Sequence, residues 1–220
     1  GADIVVQSAT KVMATSGTTI VGLMTARKNI VSRVGSDEMK ADFAIWAKLW
    51  PYRDNGPGLH PMGAILTLND MRTLRSRMAQ MSETAMVVSK YLECHPKVDR
   101  VYYPGLESYH AHNLAKKYMK LVDSDKNAYG FMLLVEIKEE NDGDSANARK
   151  FYDGLQMTWR ATDLGRVKTV ATLNAISTHQ QQGEEGRALA SLKPNAIRIA
   201  VGMEHVDDII IDFKNALSEI

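Results

Sequence analysis

Strand-like and helix-like patterns alternate along the whole chain, and that alternation predicts an α/β fold. Three stretches carry the prediction. Ile4, Val5 and Val6 form a continuous apolar run of the kind a strand buried on both faces shows. Met71, Leu74, Met78, Met81, Ala85, Val88 and Leu92 recur at spacings of three and four, which predicts one long helix over 62–94 with a continuous apolar stripe. Ile197, Ile199 and Val201 alternate with Arg198 and Ala200, which predicts a strand with one apolar face and an arginine on the other.

The first run stops at Ser8-Ala9-Thr10-Lys11. A lysine held where a buried strand ends tends to lose part of its proton to desolvation, and an uncharged amine forms Schiff bases with aldehydes. Ser8 and Thr10 flank it with hydroxyl donors suited to a phosphate. Together these residues suggest a pyridoxal phosphate anchor; the alternative is a lysine solvated at a strand edge. Thr18 to Thr25 reads as the returning strand, so Lys11 lies near the turn between two core strands.

Met39, Phe43, Trp46, Ala47 and Trp50 recur at helical spacing, a pattern that Pro51 is expected to end. A helix so rich in bulky residues reads as core or subunit interface before it reads as a ligand box. After the long helix, whose larger stripe residues each contribute roughly 1.5–3 kcal/mol if fully buried, His95-Pro96 breaks the pattern. Short strands follow at Val98 to Tyr103 and Ala128 to Ile137, with a helix at Ala146 to Leu155. His110 and His112 are two apart and make a poor metal pair. Glu139 to Asp144 reads as solvated acidic surface without the spacing of a calcium loop. Glu204 and Asp207 open a last helix, with Val206, Ile210, Phe213 and Leu217 on its buried face. The stripe over residues 71 to 92 leaves a helical interaction module as a rival reading.

The balance of 27 basic and 26 acidic residues, net +1, offers no field for nucleic acid or an anionic membrane. No apolar run approaches the roughly 18 residues needed to span a bilayer. The single cysteine, Cys94, forms no internal disulfide framework and fits a reducing cytoplasm.

Several motifs in order carry a resemblance. They are Gly1 to Lys11, Leu66-Thr-Leu-Asn-Asp-Met-Arg-Thr-Leu74 with Arg77-Met78, His95-Pro-Lys-Val-Asp-Arg-Val101, Tyr103-Pro-Gly-Leu106, Ser177-Thr-His179 and Ile197-Arg-Ile-Ala-Val-Gly-Met-Glu204. With these the chain resembles the Cys/Met-metabolism family of pyridoxal-phosphate enzymes, which includes cystathionine gamma-synthase, cystathionine lyases, O-acylhomoserine sulfhydrylases and methionine gamma-lyase. The resemblance implies the C-terminal part of a fold-type-I transferase. Residues 1–75 would complete a cofactor-binding large domain and begin a spine helix, and residues 76–220 would form an α+β small domain. It implies that Lys11 carries pyridoxal 5'-phosphate with Ser8 and Thr10 beside it, and that Arg198, Asp163 and Thr178 bind the substrate. Arg198 would take the α-carboxylate through a bidentate fork. The implied chemistry is elimination or replacement at the β or γ carbon of sulfur-containing or O-acylated amino acids, in a dimer or tetramer of identical chains. A noncatalytic relative of the same fold is the alternative. The family's N-terminal portion, with the ring stacked on the cofactor, is expected to lie outside this chain.

The chain departs from the family at two places. Ala14-Thr-Ser-Gly17 stands where a glycine-rich turn with histidine and serine is usual, with Ser16 or Thr15 still able to reach a phosphate. Asp163 holds the usual serine position, Arg166 that of a second glycine and Lys168 that of a glutamate; the two cations suit a substrate with a second negative group.

Overall fold

Strand β1 (Ile4–Ser8) pairs antiparallel with β2 (Gly22–Ala26), Val6 opposite Met24, in a two-stranded ribbon. A computed structural model describes residues 2–141 and 143–220. The chain divides into two compact units, Gly1–Arg72 and Thr73–Ile220. Every residue of β1 is exposed, Val6 by 76%, so the expected burial on both faces is not met within this chain. The reason is that a two-stranded ribbon has no second layer of its own; its branched residues form the strand, and nothing in β1 and β2 covers it.

In the first unit the helical stretch is broken into α1 (Asp37–Ala41), capped by the Ser36 hydroxyl, and α2 (Phe43–Ala47), capped by Asp42. Pro51 does not end this stretch. It is absorbed in a π turn at Lys48–Tyr52 that leads into α3 (Arg53–Asn55), and the end comes at Gly56 with φ +72°. Proline lacks the N–H that a regular helix would need there, and the wider turn accommodates its ring. Ala47 is buried, whereas Trp50 is 54% exposed and Ile45 is exposed too, so the core reading of this helix fails within the chain.

The expected single helix over 62–94 is two helices, α4 (Pro61–Met71) and α5 (Leu74–Glu93). Thr73, at φ −104° and ψ 2°, lies outside helical geometry and breaks the stripe. Met81, Ala85, Val88 and Leu92 are fully buried, while Met71, Leu74 and Met78 are only half-buried. Ala85, Val88 and Leu92 join the core of the second unit, so the apolar face of α5 is used inside the chain and the interaction-module reading loses its motive.

That core lies against a five-stranded sheet ordered β3 (Val98–Tyr102), β4 (Met132–Ile137), β7 (Ala196–Ala200), β6 (Val170–Leu173) and β5 (Trp159–Arg160). All neighbours are antiparallel except β5 and β6. Leu133, Val135, Ile197 and Ile199 pack on one side with α5, α7 (Ala146–Gly154) and α9 (Val206–Ser218). Phe151 of α7 meets Phe213 of α9 edge to face, 5.8 Å between ring centres. A short helix α6 (His112–Tyr118) and another, α8 (Gly183–Leu189), lie in the connections. Strand β4 begins at Met132, four residues later than expected, after a glycine at φ +84°. Tyr103 follows β3, its hydroxyl 2.9 Å from the Gly130 carbonyl and 3.2 Å from that of Ser82, and burial pushes its phenol up to about 12.

Two acidic expectations are corrected. Glu139 is not idle surface: its carboxylate accepts the N–H groups of Asn147 and Ala148 at 2.9 and 2.8 Å and caps α7. Asp142, in the same acidic run, and Gly1 lie outside the described residues. On α9, Val206 and Ile210 are half-buried, and the buried face is Ile209, Asp212, Phe213, Ala216 and Leu217. The Asp212 carboxylate accepts the N–H groups of Gln156, Met157 and Thr158 at 2.8, 3.0 and 2.9 Å, and so ties α9 to the segment before β5. Among the described residues no helix is long and apolar enough to cross a membrane.

Burial acts to raise the Asp212 pKa, and the three backbone donors outweigh it and hold the group below its ordinary value. A depressed folded-state pKa contributes stability above the unfolded value of about 4, and that contribution is lost as pH falls through the folded value. Asp212→Asn should therefore cost about 1–3 kcal/mol at neutral pH. Urea denaturation at stepped pH should show the gap to the parent protein closing in acid; a gap of constant size would refute the assignment.

Candidate functional site

Two groups of chemistry-bearing side chains are formed, one in each unit. In the first unit β1 ends at Ser8, opposite Gly22, and the chain turns at once. Lys11 donates its N–H to the Ser8 carbonyl at 3.2 Å, and Ala14 donates to Ala9 at 2.8 Å. Ala9 and Ala14 in this turn are fully buried. Thr10 clamps the turn to β2: its hydroxyl accepts the Val21 N–H at 2.7 Å and lies 3.2 Å from the Val21 carbonyl. Lys11 is half-buried. The exposed Ser8 hydroxyl makes no hydrogen bond among the described residues, and a side chain added at Gly22 would meet open space. This is a lysine on a hydrogen-bonded turn, a hydroxyl three residues before it, and open space at Gly22 across from that hydroxyl's residue. Those residues fit a phosphate-bearing aldehyde.

The altered turn behaves differently from expectation. Gly17 takes φ +74°, which a glycine supplies without strain. Ser16 donates both its N–H and its hydroxyl to Asp70, at 3.0 and 2.6 Å, so its hydroxyl fixes α4 to the turn.

In the second unit Arg198 sits on the central strand, on the sheet face away from the helices. Register places Tyr102, Leu134, Arg198 and Thr172 in one row across β3, β4, β7 and β6. Arg198 Nη2 donates to the carbonyls of Thr162 and Asp163, at 2.8 and 3.2 Å, and to the Thr172 hydroxyl at 3.2 Å. Thr172 in turn donates to the Ala161 carbonyl. None of these acceptors is a carboxylate, and among the described residues Arg198 forms no salt bridge. Its Nε is buried without a partner. Burial pushes the guanidinium down from its ordinary value, with the charge of Asp163 acting the other way. A half-buried cation held by neutral acceptors keeps its charge available to a ligand.

Asp163 touches Arg198 through its backbone. Its carboxylate accepts the Leu164 N–H at 2.8 Å and pairs with Arg166 Nε at 2.6 Å. Lys168 lies 3.7 Å from Glu204 and over the Trp159 ring. Arg166 and Lys168 thus each have an internal acid. Thr178 is exposed in the turn after β6, bonded to Asn174 and His179, with no hydrogen bond to Arg198 among the described residues. Thr172 and the 161–163 carbonyls were not legible as parts of this group, because cross-strand register decides them.

A sequence model described as Cys/Met metabolism PLP-dependent enzyme matches residues 1–218. The chain belongs to this family. Among its relatives is a homocysteine synthase from Schizosaccharomyces pombe, 35% identical, with 99% of this chain and 53% of the relative covered. An L-methionine gamma-lyase from Porphyromonas gingivalis is 34% identical over 100% of this chain and 49% of its own length. The chain thus spans about half the length of the curated relatives it matches. A Campylobacter jejuni structure assigned as an O-acetylhomoserine (thiol)-lyase superposes with a TM-score of 0.85 at 32% identity, covering 99% of this chain and 54% of that one. It carries N'-pyridoxyl-lysine-5'-monophosphate. A cystathionine gamma synthase from Xanthomonas oryzae, in complex with aminoacrylate and cysteine, gives 0.79 at 29% identity over 100% and 50% of the two chains. The α/β fold is therefore that of the family's pyridoxal-phosphate enzymes.

The family-like run at Gly202 to Glu204 anchors the loop that cradles Arg198. Glu204 does not open α9, which His205 caps; its carboxylate turns back to accept the Thr169 N–H and hydroxyl at 2.6 and 2.7 Å. Gly202 donates to the Thr169 hydroxyl at 2.9 Å. A Cβ on Gly202 would stand 2.4 Å from the Val167 carbonyl oxygen and 2.5 Å from Glu204. Gly202→Ala should lower stability by about 1–3 kcal/mol, since backbone and a half-buried acid must both move. Thermal denaturation checks this, and an unchanged Tm would show that the approach is looser than described.

Proposed function

We propose that this chain supplies the cofactor lysine and the carboxylate anchor of an enzyme that eliminates or replaces a group at the β or γ carbon of sulfur-containing or O-acylated amino acids. The observation that carries the reading is Arg198, a half-buried cation fixed through Nη2 by neutral oxygens and left without a carboxylate partner among the described residues. An arginine serving only the fold would be expected against an acid. Here it is ready for the α-carboxylate of an amino acid.

Pyridoxal phosphate, when bound, supplies an aldehyde for the amino group and a ring that accepts the electron pair released at Cα. Lys11 would hold it through Nζ and would move the Cα proton of the substrate. Ser8 contributes a hydroxyl to the phosphate, and Thr10 belongs to the same group through the turn it clamps to Val21. Asp163 belongs to the substrate group through the carbonyl it presents to Arg198, and Thr178 through its exposed hydroxyl. We assign residues 1–75 to the cofactor domain with the start of the spine helix, and residues 76–220 to the small domain. We further assign the protein to a homo-oligomer in a reducing cytoplasm; exposed apolar side chains at Trp50, Ile65 and Leu68 support the first assignment, and the lone Cys94 the second. The same reading names amino acids as substrates and excludes nucleic acid and membrane as partners, in line with the near-neutral charge.

In the intact protein loaded with pyridoxal phosphate, borohydride reduction followed by peptide mapping should place the pyridoxyl group on Lys11. A label on another lysine, or none in a folded protein, would overturn the reading. Arg198→Lys should leave that label and the Tm in place while lowering kcat/KM by about 2–4 kcal/mol, because a planar fork becomes a point contact. A structural arginine gives the reverse, a lowered Tm with unchanged kinetics per folded molecule.

A further inference from the structure

Arg198 can bind a carboxylate productively only if its plane is aimed, and the aiming is done by a loop. Three acceptors meet Nη2: the Thr162 and Asp163 carbonyls and the Thr172 hydroxyl. Thr172 sits on a strand, in register with Arg198, and its place is secured by the sheet. The two carbonyls belong to the connection between β5 and β6, where no ladder holds the backbone. That connection is pinned near β6 by Glu204 on Thr169 and by Met203, whose N–H donates to the Val167 carbonyl at 2.7 Å. Its other half turns through Gly165 at φ +74°, a conformation glycine reaches easily and does not enforce. Asp163 closes this turn on both sides, accepting the Leu164 N–H with one carboxylate oxygen and Arg166 Nε with the other. The Arg166 side chain is 19% exposed and that of Asp163 36%, so the pair is partly shielded from solvent.

We infer that the Asp163–Arg166 ion pair is a positioning device for Arg198, which fixes the two carbonyls that orient the guanidinium and so tunes the affinity for the carboxylate of the bound amino acid. The inference rests on the reading of Arg198 as carboxylate anchor. Neither Asp163 nor Arg166 acts on the substrate by its own charge in this scheme; the acid and the base neutralise each other, and the effect is carried by backbone. It also accounts for the joint departure at these two positions. An acid placed alone beside a carboxylate site would repel the ligand, and a bulky cation placed alone in a glycine turn would have no partner. Together they form a brace.

The test uses the intact protein loaded with pyridoxal phosphate and two probes, glycine and methylamine, which share an amine and differ in the carboxylate. Dissociation constants are read from the visible absorbance of the bound cofactor, and Tm is measured on the same samples. Asp163→Asn and Arg166→Gln should each weaken glycine about tenfold through misaimed contacts, with methylamine and Tm nearly unchanged. The double variant should be no worse than either single one, since both break the same pair. Arg166→Lys, which restores the charge, should recover most of the glycine affinity. Arg198→Lys is the control. If it weakens glycine selectively while Asp163→Asn and Arg166→Gln do not, the brace is refuted and the anchor stands. If it leaves the ratio of glycine to methylamine affinity unchanged, the anchor itself is refuted, and the brace with it. Equal weakening of both probes, or additive effects in the double variant, would overturn the positioning role.

Discussion

Three neutral oxygens hold Arg198 Nη2 on the middle strand of the sheet, and these bonds join β7 to the 161–163 segment and to β6. Strand β7 presents Ile197 and Ile199 to the helices, which forces Arg198 to the opposite face by the period of the strand. Oxygen atoms of neutral groups settle the hydrogen-bonding demand of Nη2 and leave the charge in force. The cost of holding a cation there is met by the rest of the unit, where α5, α7 and α9 bury a continuous apolar layer behind the sheet.

Four acidic side chains on this unit serve as fasteners. Glu204 joins the end of β7 to Thr169, Asp212 joins α9 to the segment before β5, and Glu139 caps α7. On the far side of the sheet Glu136, only 2% exposed, pairs with Lys193 at 2.8 Å and accepts from Tyr102 at 3.0 Å. Each carboxylate accepts from more than one donor or from a cation, which is how an ion is kept away from water at tolerable cost. The result is a scaffold in which the irregular 161–169 connection is tied at Thr169 by Glu204 and at Val167 by Met203.

The sequence showed these things unevenly, for physical reasons. Period two around Arg198 and period three to four in α5 are local and were readable. The break at Thr73 was not, since threonine continues a helix as often as it ends one, and the apolar stripe runs through it without a gap. Pro51 misled because a proline is read as an ending, while a π turn can carry it onward. Asp212 was passed over as a polar residue on a helix; only its approach to the N–H groups of Gln156, Met157 and Thr158 explains its burial. Of the candidate site, Lys11, Ser8, Thr10 and Arg198 were put forward from motifs, whereas the hydrogen-bond partners of Arg198 depended on register and on a loop without periodicity. The pairing of Asp163 with Arg166 is a contact three residues apart across a glycine turn, invisible to any pattern of hydrophobicity.

The exposed ribbon of β1 and β2 gives the lysine turn a particular thermodynamic standing. Two strands with apolar side chains open to solvent are marginal alone, and an unpaired edge invites further strands. The turn that carries Lys11 is tied to that ribbon through Thr10 and Val21. Whatever covers the ribbon therefore also stiffens the turn, and a ligand held by the turn must favour the covered form by the same factor in return. Covering of the ribbon and capture of any ligand at this turn would in this sense be two measurements of a single equilibrium.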